Sequence, residues 1–194
     1  MSSVPGQEAS VASEYQQLGS SIFFGPVQPE HLDRIHALES ASYPEDEAAT
    51  LDKLGFRIRN ASNAFMVAMN YRDGGADPEV VGYVCGTCTN AGRLTHDSMA
   101  THDPEGSLLC IHSVVVEAAL RRKGLATRLL RAYVLYVQAT TPNLRAVRLI
   151  CKQDLIGLYE KAGFRLLGPS DVVHGRDPWF EMALELPSND TTQE

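Results

Sequence analysis

Apolar positions along this chain follow two rhythms, and the switches between them mark its elements. Cys110-Ile111-His112-Ser113-Val114-Val115-Val116 is a near-continuous, β-branched run, the signature of a strand buried on both faces. Beyond a basic turn, Leu129-Leu130-Arg131-Ala132-Tyr133-Val134-Leu135 repeats its apolar residues at helical spacing. Val147-Arg148-Leu149-Ile150-Cys151 is a second apolar strand, leading into a short helix from Leu155 to Ala162 that stops at Gly163. Upstream, 21–27 reads as a strand that Pro26 marks as an edge. Leu32, Ile35 and Leu38 share one face of a helix opening near Pro29. Pro44 ends it, and the acidic Glu45, Asp46 and Glu47 favour the start of another, running through Leu51, Leu54, Phe56 and Ile58.

Residues 64–69 and 80–87 form a hairpin across the turn-rich stretch Asp73 to Pro78. Gly82 and Gly86 within its second strand indicate a bulge or a close backbone approach. Arg93 to Met99 reads as a short helical excursion. The last strands, 164–167 and 179–184, flank a loop from Gly168 to Pro178 long enough to border a pocket. The order β-α-α-β-β-β-α-β-α-β-β predicts an α/β fold, a central mixed sheet with helices on both faces. Residues 1–20 are polar and aperiodic and are expected to be a flexible tail, 21–186 the single folded domain, and 187–194 a polar C-terminal tail.

Composition narrows the function. A chain of 194 residues supports one well-buried core, and its net charge of -7 argues against a general nucleic-acid or anionic-membrane binder while suiting a cationic substrate. Residues 1–20 lack the basic and apolar regions of a signal peptide and no run reaches membrane-span length, so a cytoplasmic location is expected. The 4 cysteines read as reduced thiols. Cys85 and Cys88 have zinc-like spacing without a second pair, and a strand turns them to opposite faces, so no metal is expected. His31 and His36 read as solvated or half-buried helix residues, and His96 and His102 as surface histidines.

Arg121-Arg122-Lys123-Gly124-Leu125-Ala126-Thr127-Arg128 stands between the central strand and its helix. Unpaired amides and the positive dipole end of a helix, with cationic side chains beside them, make an anion site suited to phosphate or pyrophosphate. The spacing Arg-x-x-Gly-x-Ala is neither a Walker loop nor a Rossmann fingerprint. It resembles the pyrophosphate loop of the GNAT acetyltransferase superfamily, and the second strand and helix, with Tyr159 one turn before Gly163, follow in that superfamily's order.

Acyl transfer from a thioester to an amine requires proton removal from the ammonium, stabilisation of an oxyanion and reprotonation of the departing thiolate. His112 titrates in the right range for the first task, a strand amide near Val114 suits the second, and the Tyr159 phenol suits the third. The resemblance to that superfamily implies that the loop carrying Glu47 covers the acceptor and makes Glu47 a further candidate for the amine proton, so the general base stays open between His112, Glu47 and water.

At closer range, 93–99, Cys110 to Gly124, and Leu158 to Phe164 with Gly168-Pro169 resemble the arylalkylamine N-acetyltransferases, and the likeness covers roughly 20–186. That resemblance implies acetylation of serotonin, tryptamine, phenethylamine or tyramine in a ternary complex with acetyl-CoA. It puts the acetyl-CoA contacts on Val114, Val115 and Val116 and on Arg121, Arg122, Lys123, Gly124, Leu125, Ala126 and Thr127. It puts the amine pocket on Tyr43, Pro44, Val114, Ile150 and Tyr159. There are two departures: Cys110 stands where vertebrate members carry the first of two histidines, and neither chain end has the basic phosphorylation segment that binds a phospho-dependent adaptor. A non-vertebrate type is implied: a monomer acting on a small-molecule amine without adaptor, membrane or nucleic-acid partners. Polyamine acetylation, and a non-catalytic acetyl-CoA-binding module, are the competing readings.

Overall fold

The computed structural model describes residues 22–71, 77–95, 98, 101–172 and 176–187. Both expected tails lie outside these apart from Pro187, as do the hairpin tip, much of the 93–99 segment with His96, and part of the last loop. The elements follow the order the sequence predicts. Strand β1 (Ile22–Pro26) precedes helices α1 (Leu32–Ser40) and α2 (Leu51–Asn60); β2 (Phe65–Tyr71), β3 (Pro78–Thr89) and β4 (Leu108–Val116) come next. Helix α3 (Leu125–Thr140), β5 (Ala146–Cys151), α4 (Ile156–Lys161), β6 (Arg165–Pro169) and β7 (Phe180–Glu185) complete the chain.

The strands form one 7-stranded mixed sheet in the order β1-β2-β3-β4-β5-β7-β6, with β1, carrying Pro26, at an edge. Helices α1 and α2 cover one face, where Ile35, Leu38, Leu54 and Ile58 bury against Phe65, Tyr83 and Val115. Helices α3 and α4 cover the other, where Leu129, Tyr133 and Tyr159 bury against Leu109, Ile111 and Leu149. Residues Glu45 to Glu47 do not open α2 as expected. They lie in a turn, and Thr50 caps the helix by accepting the Lys53 N–H on Oγ1 at 3.3 Å.

Two irregularities shape the centre of the sheet. Cys85 pairs with Ser113 and Gly86 with Ile111, so His112 is an extra residue bulged out of β4. The expected close approach is present at Gly86, where a Cβ would stand 2.7 Å from the Cys110 carbonyl oxygen. The bulge also inverts the facing of β4: Ile111 packs under α3, while Val115, four positions on, packs under α1 and α2. The second irregularity is a parting of strands. The parallel ladder between β4 and β5 runs only from Leu108↔Ala146 to Cys110↔Arg148, although both strands continue.

Candidate functional site

Where β4 and β5 part, a cavity of about 240 Å³ opens. Among its lining residues are all the catalytic and acceptor-side candidates: Tyr43, Pro44 and Glu47 from the loop after α1, His112 and Val114 from β4, Ile150 from β5 and Tyr159 from α4. Residues more than a hundred positions apart thus meet on one wall system, which no local pattern could have established.

His112 enters with a defined tautomer. Thr87 has one hydroxyl proton and donates it to the Ser98 carbonyl at 2.7 Å, so towards His112 Nε2, also at 2.7 Å, its oxygen accepts. Nε2 therefore carries the ring proton, and Nδ1, buried and without a hydrogen-bond partner among the described residues, keeps its lone pair. Burial, followed by the nearby Arg57 guanidinium, holds the His112 pKa well below the ordinary imidazole value. The ring is neutral at neutral pH, with a free lone pair but a weaker basicity than an exposed imidazole. Cys110 is buried and directs its thiol to Ser98 Oγ at 3.5 Å.

Tyr159 is buried, its ring edge-on to Phe164 at 6.0 Å between centroids. Burial first, then Tyr43 and Cys151, push its pKa well above 10.0, which makes it a weaker acid than an exposed phenol. The phenol stays protonated, as an acid must.

Tyr43 reaches the strand backbone: the Val114 N–H donates to its hydroxyl oxygen at 3.3 Å. Burial and then Glu39 raise its pKa, keeping it neutral. Glu39, which nothing in the sequence singles out, is 1% exposed and organises this region. Its Oε1 accepts from the Ala49 amide at 2.9 Å and Ser113 Oγ at 3.0 Å, and its Oε2 accepts from the Tyr83 hydroxyl. One carboxylate thus ties both ends of the acceptor loop's span to β3 and β4. Glu47 faces the cavity but is ion-paired, its Oε1 lying 2.5 Å from Lys152 Nζ, which also contacts Asp177 Oδ2 at 2.9 Å. Lys152, Asp177 and Trp179 all line the cavity and were not anticipated; only their apposition reveals them.

Between β4 and α3 the turn has the form its residues suggest. Arg122 (φ 63) and Gly124 (φ 77) both adopt left-handed backbone conformations. Gly124 occupies the N-cap of α3 with no side-chain cap, which leaves the first-turn amides of Leu125, Ala126 and Thr127 without one. Nothing lies within 4 Å of a Cβ built on Gly124, so an anion can approach the backbone there. Arg122 and Lys123 are exposed beside it. These features fit the pyrophosphate of a CoA thioester. Arg121 is committed elsewhere, its Nε donating to the Val116 carbonyl and its Nη2 to Ser42 Oγ, both at 2.9 Å, which links the turn to the acceptor loop. Val115 and Val116 are buried, so they offer a ligand their backbone rather than their side chains.

Histidine 102 is not the free surface residue expected: its Nδ1 accepts the Cys88 N–H at 3.1 Å. Among the described residues no cluster of three or more His, Cys, Asp or Glu side chains is arranged to hold a metal. None of the described helices is long and apolar enough to cross a membrane.

The family model described as the acetyltransferase (GNAT) family matches residues 32–164. Serotonin N-acetyltransferase of Mesocricetus auratus is 30% identical over 107 residues, 55% of this chain and 51% of that protein. The Homo sapiens protein of the same name is 26% identical over 107 residues, with the same coverage of each chain. The match thus spans about half the length of these curated relatives. Among solved structures, the loading GNATL domain of CurA from Lyngbya majuscula superposes with a TM-score of 0.71 at 13% identity, covering 84% of this chain and 97% of that one. A phosphinothricin acetyltransferase from Sinorhizobium meliloti in complex with AcCoA gives 0.63 at 17% identity, covering 89% and 92%. At such identities these structures speak for the fold alone.

Proposed function

This chain belongs to the GNAT acetyltransferase family, and from that premise we propose that it transfers the acetyl group of acetyl-CoA to the amine of an arylalkylamine such as tryptamine, serotonin, phenethylamine or tyramine. The observation that carries the reading is the convergence of a proton acceptor, a strand amide and a phenol on one cavity, whose Ser42 is tied to the glycine turn by Arg121. The amine class rests on the serotonin N-acetyltransferase relatives.

In this reaction the turn from Arg122 to Thr127 holds the pyrophosphate, and the splay of β4 from β5 admits the pantetheine arm to pair with the backbone of Val114 to Val116. Val114 N–H stabilises the oxyanion, where a well-placed donor contributes about 10²–10³-fold in rate. His112 Nδ1 accepts the amine proton, directly or through water, and Thr87 holds the ring in the competent tautomer. Tyr159 protonates the thiolate. Glu47, bound to Lys152, supplies negative charge near the substrate ammonium rather than an unencumbered base. Tyr43, Pro44 and Ile150 border the arene. The enzyme is proposed to act as a monomer in the cytoplasm, without metal or adaptor.

A panel of amines assayed for CoA release tests this. Arylalkylamines should exceed spermidine and putrescine in kcat/KM by about tenfold or more, a margin that differential packing of an aromatic ring supplies. The reverse order would assign a polyamine acetyltransferase. Acetyl-CoA binding without turnover of any amine would assign a binding module.

A further inference from the structure

Lys152 lines the cavity, and the proposed reaction gives its amine no chemical step of its own. It lies one position beyond β5, and its Nζ contacts Glu47 Oε1 at 2.5 Å and Asp177 Oδ2 at 2.9 Å, with the Trp179 ring centroid 4.3 Å away. Two carboxylates and an aromatic face are the groups that recognise an alkylammonium. The ammonium they hold here is the protein's own, on the same cavity wall system as His112, Val114 and Tyr159. Glu47 is 4% exposed and Lys152 is 23% exposed, so a buried carboxylate backs an amine that still reaches the open cavity on a flexible stem. Burial alone would lower the lysine's pKa, but the hydrogen bonds to Glu47 and Asp177 outweigh it and hold the group protonated, so it needs a proton acceptor as a substrate amine does.

We propose that Lys152 is itself an acetyl acceptor, modified on Nζ within the same molecule by acetyl-CoA bound at the glycine turn; this rests on the acyl-transfer reading above. Glu47 Oε1, already hydrogen-bonded to the ammonium, accepts its first proton and passes it to solvent. The Nζ lone pair bonds to the thioester carbonyl carbon, the C–S bond breaks with its electron pair going to sulfur, and Tyr159 protonates the thiolate. The second proton shed by nitrogen replaces the one Tyr159 gave up. The products are an amide on Lys152, CoA as its thiol, and one proton released.

Acetylation removes the positive charge and both ion pairs. A cavity wall that held two carboxylates against one ammonium then holds the same carboxylates against a neutral amide, which strengthens its attraction for a cationic amine. Self-acetylation would prime the site for its substrate.

The chain has four lysines, Lys53, Lys123, Lys152 and Lys161, and the other three are exposed, so the test is a direct competition. The protein is incubated with isotopically labelled acetyl-CoA at several protein concentrations and each lysine is read by peptide mass mapping. Acetyl-CoA binding by calorimetry and tryptamine turnover are measured alongside. The expected result is label on Lys152 about tenfold or more above the other three, the advantage of a reactant held in place. Its rate is independent of protein concentration and is lost in Gly124→Val. Even labelling of the four lysines overturns the proposal, as does an unlabelled Lys152 in protein that binds acetyl-CoA; in either case the proposed function stands when tryptamine is acetylated. Label on Lys152 without tryptamine turnover supports this proposal and overturns the arylalkylamine reading. Failure to bind acetyl-CoA overturns both.

Discussion

The hydroxyl oxygen of Tyr43 accepts the backbone N–H of Val114 at 3.3 Å, the same N–H that the proposed reaction assigns to the thioester oxygen. The two acceptors compete for one donor, and the loop carrying Tyr43 is anchored by Glu39 through the Ala49 amide. Tyr43→Phe removes the internal competitor and leaves the amide without it. Acetyl-CoA affinity should rise up to about tenfold, the scale of one hydrogen bond at about 0.5–1.5 kcal/mol, as read by calorimetry. Unchanged affinity would mean that the acyl oxygen is not received at Val114.

Gly124→Val tests the turn. Gly124 has φ 77 and open space where a Cβ would stand, so the substitution meets no wall of the chain itself. It strains the backbone by about 1–3 kcal/mol and fills the volume an anion would use. Acetyl-CoA affinity should fall about 10²-fold, equivalent to about 2.7 kcal/mol, with the circular dichroism spectrum retained. Gly124→Asn, which tolerates the left-handed region, should lose less stability than the valine variant.

Tyr159→Phe keeps the edge-on contact with Phe164 and deletes only the hydroxyl. Steady-state kinetics should show kcat reduced by about 10²-fold or more with little change in KM for either substrate. An effect confined to KM would reassign the hydroxyl to ground-state binding.

His112 links activity and stability to pH in the same direction. Its folded pKa lies below the unfolded value near 6.5, so the unfolded chain binds the extra proton first as pH falls. The stability due to the neutral ring is fully present above about pH 6.5 and is lost on acidification, with a limiting slope of about 1.36 kcal/mol per pH unit. Denaturant melts of His112→Gln between neutral pH and pH 5 should show a shallower loss than wild type. His102, whose pKa is also lowered by burial, leaves a residual slope. In kinetics, His112→Gln should lower kcat/KM by about 10²–10⁴-fold and flatten its acidic limb. An intact limb in His112→Gln that disappears in Glu47→Gln would move the base to the carboxylate.

The glycine turn was legible in the chain because it is local. A β-branched strand, a positive-φ residue and a helix start lie within about twenty consecutive positions, and backbone geometry alone presents the amides there. The bulge at His112 was only half legible. Gly86 signalled a close approach, but which residue of the partner strand would be extruded depends on the β3–β4 register, which brings Cys85 opposite Ser113 and Gly86 opposite Ile111. The Glu47–Lys152–Asp177 group was not legible at all, since Lys152 lies 105 positions from Glu47 and 25 from Asp177. Nothing in a lone lysine after a strand distinguishes it from a solvated one.

By itself the sequence determined the order of elements, the burial of the central strand and the open, uncapped form of the turn after it, since hydrophobic period, β-branching and glycine act over a few neighbouring residues. Only the tertiary structure decided which atom of His112 keeps a lone pair, that Tyr43 rests on Val114, that Glu39 anchors the acceptor loop, and that Glu47 already holds an ammonium. Each of these depends on a hydrogen bond or ion pair between segments far apart in the chain, and such partners are chosen by how the sheet registers and how its helices pack, not by the residues beside them.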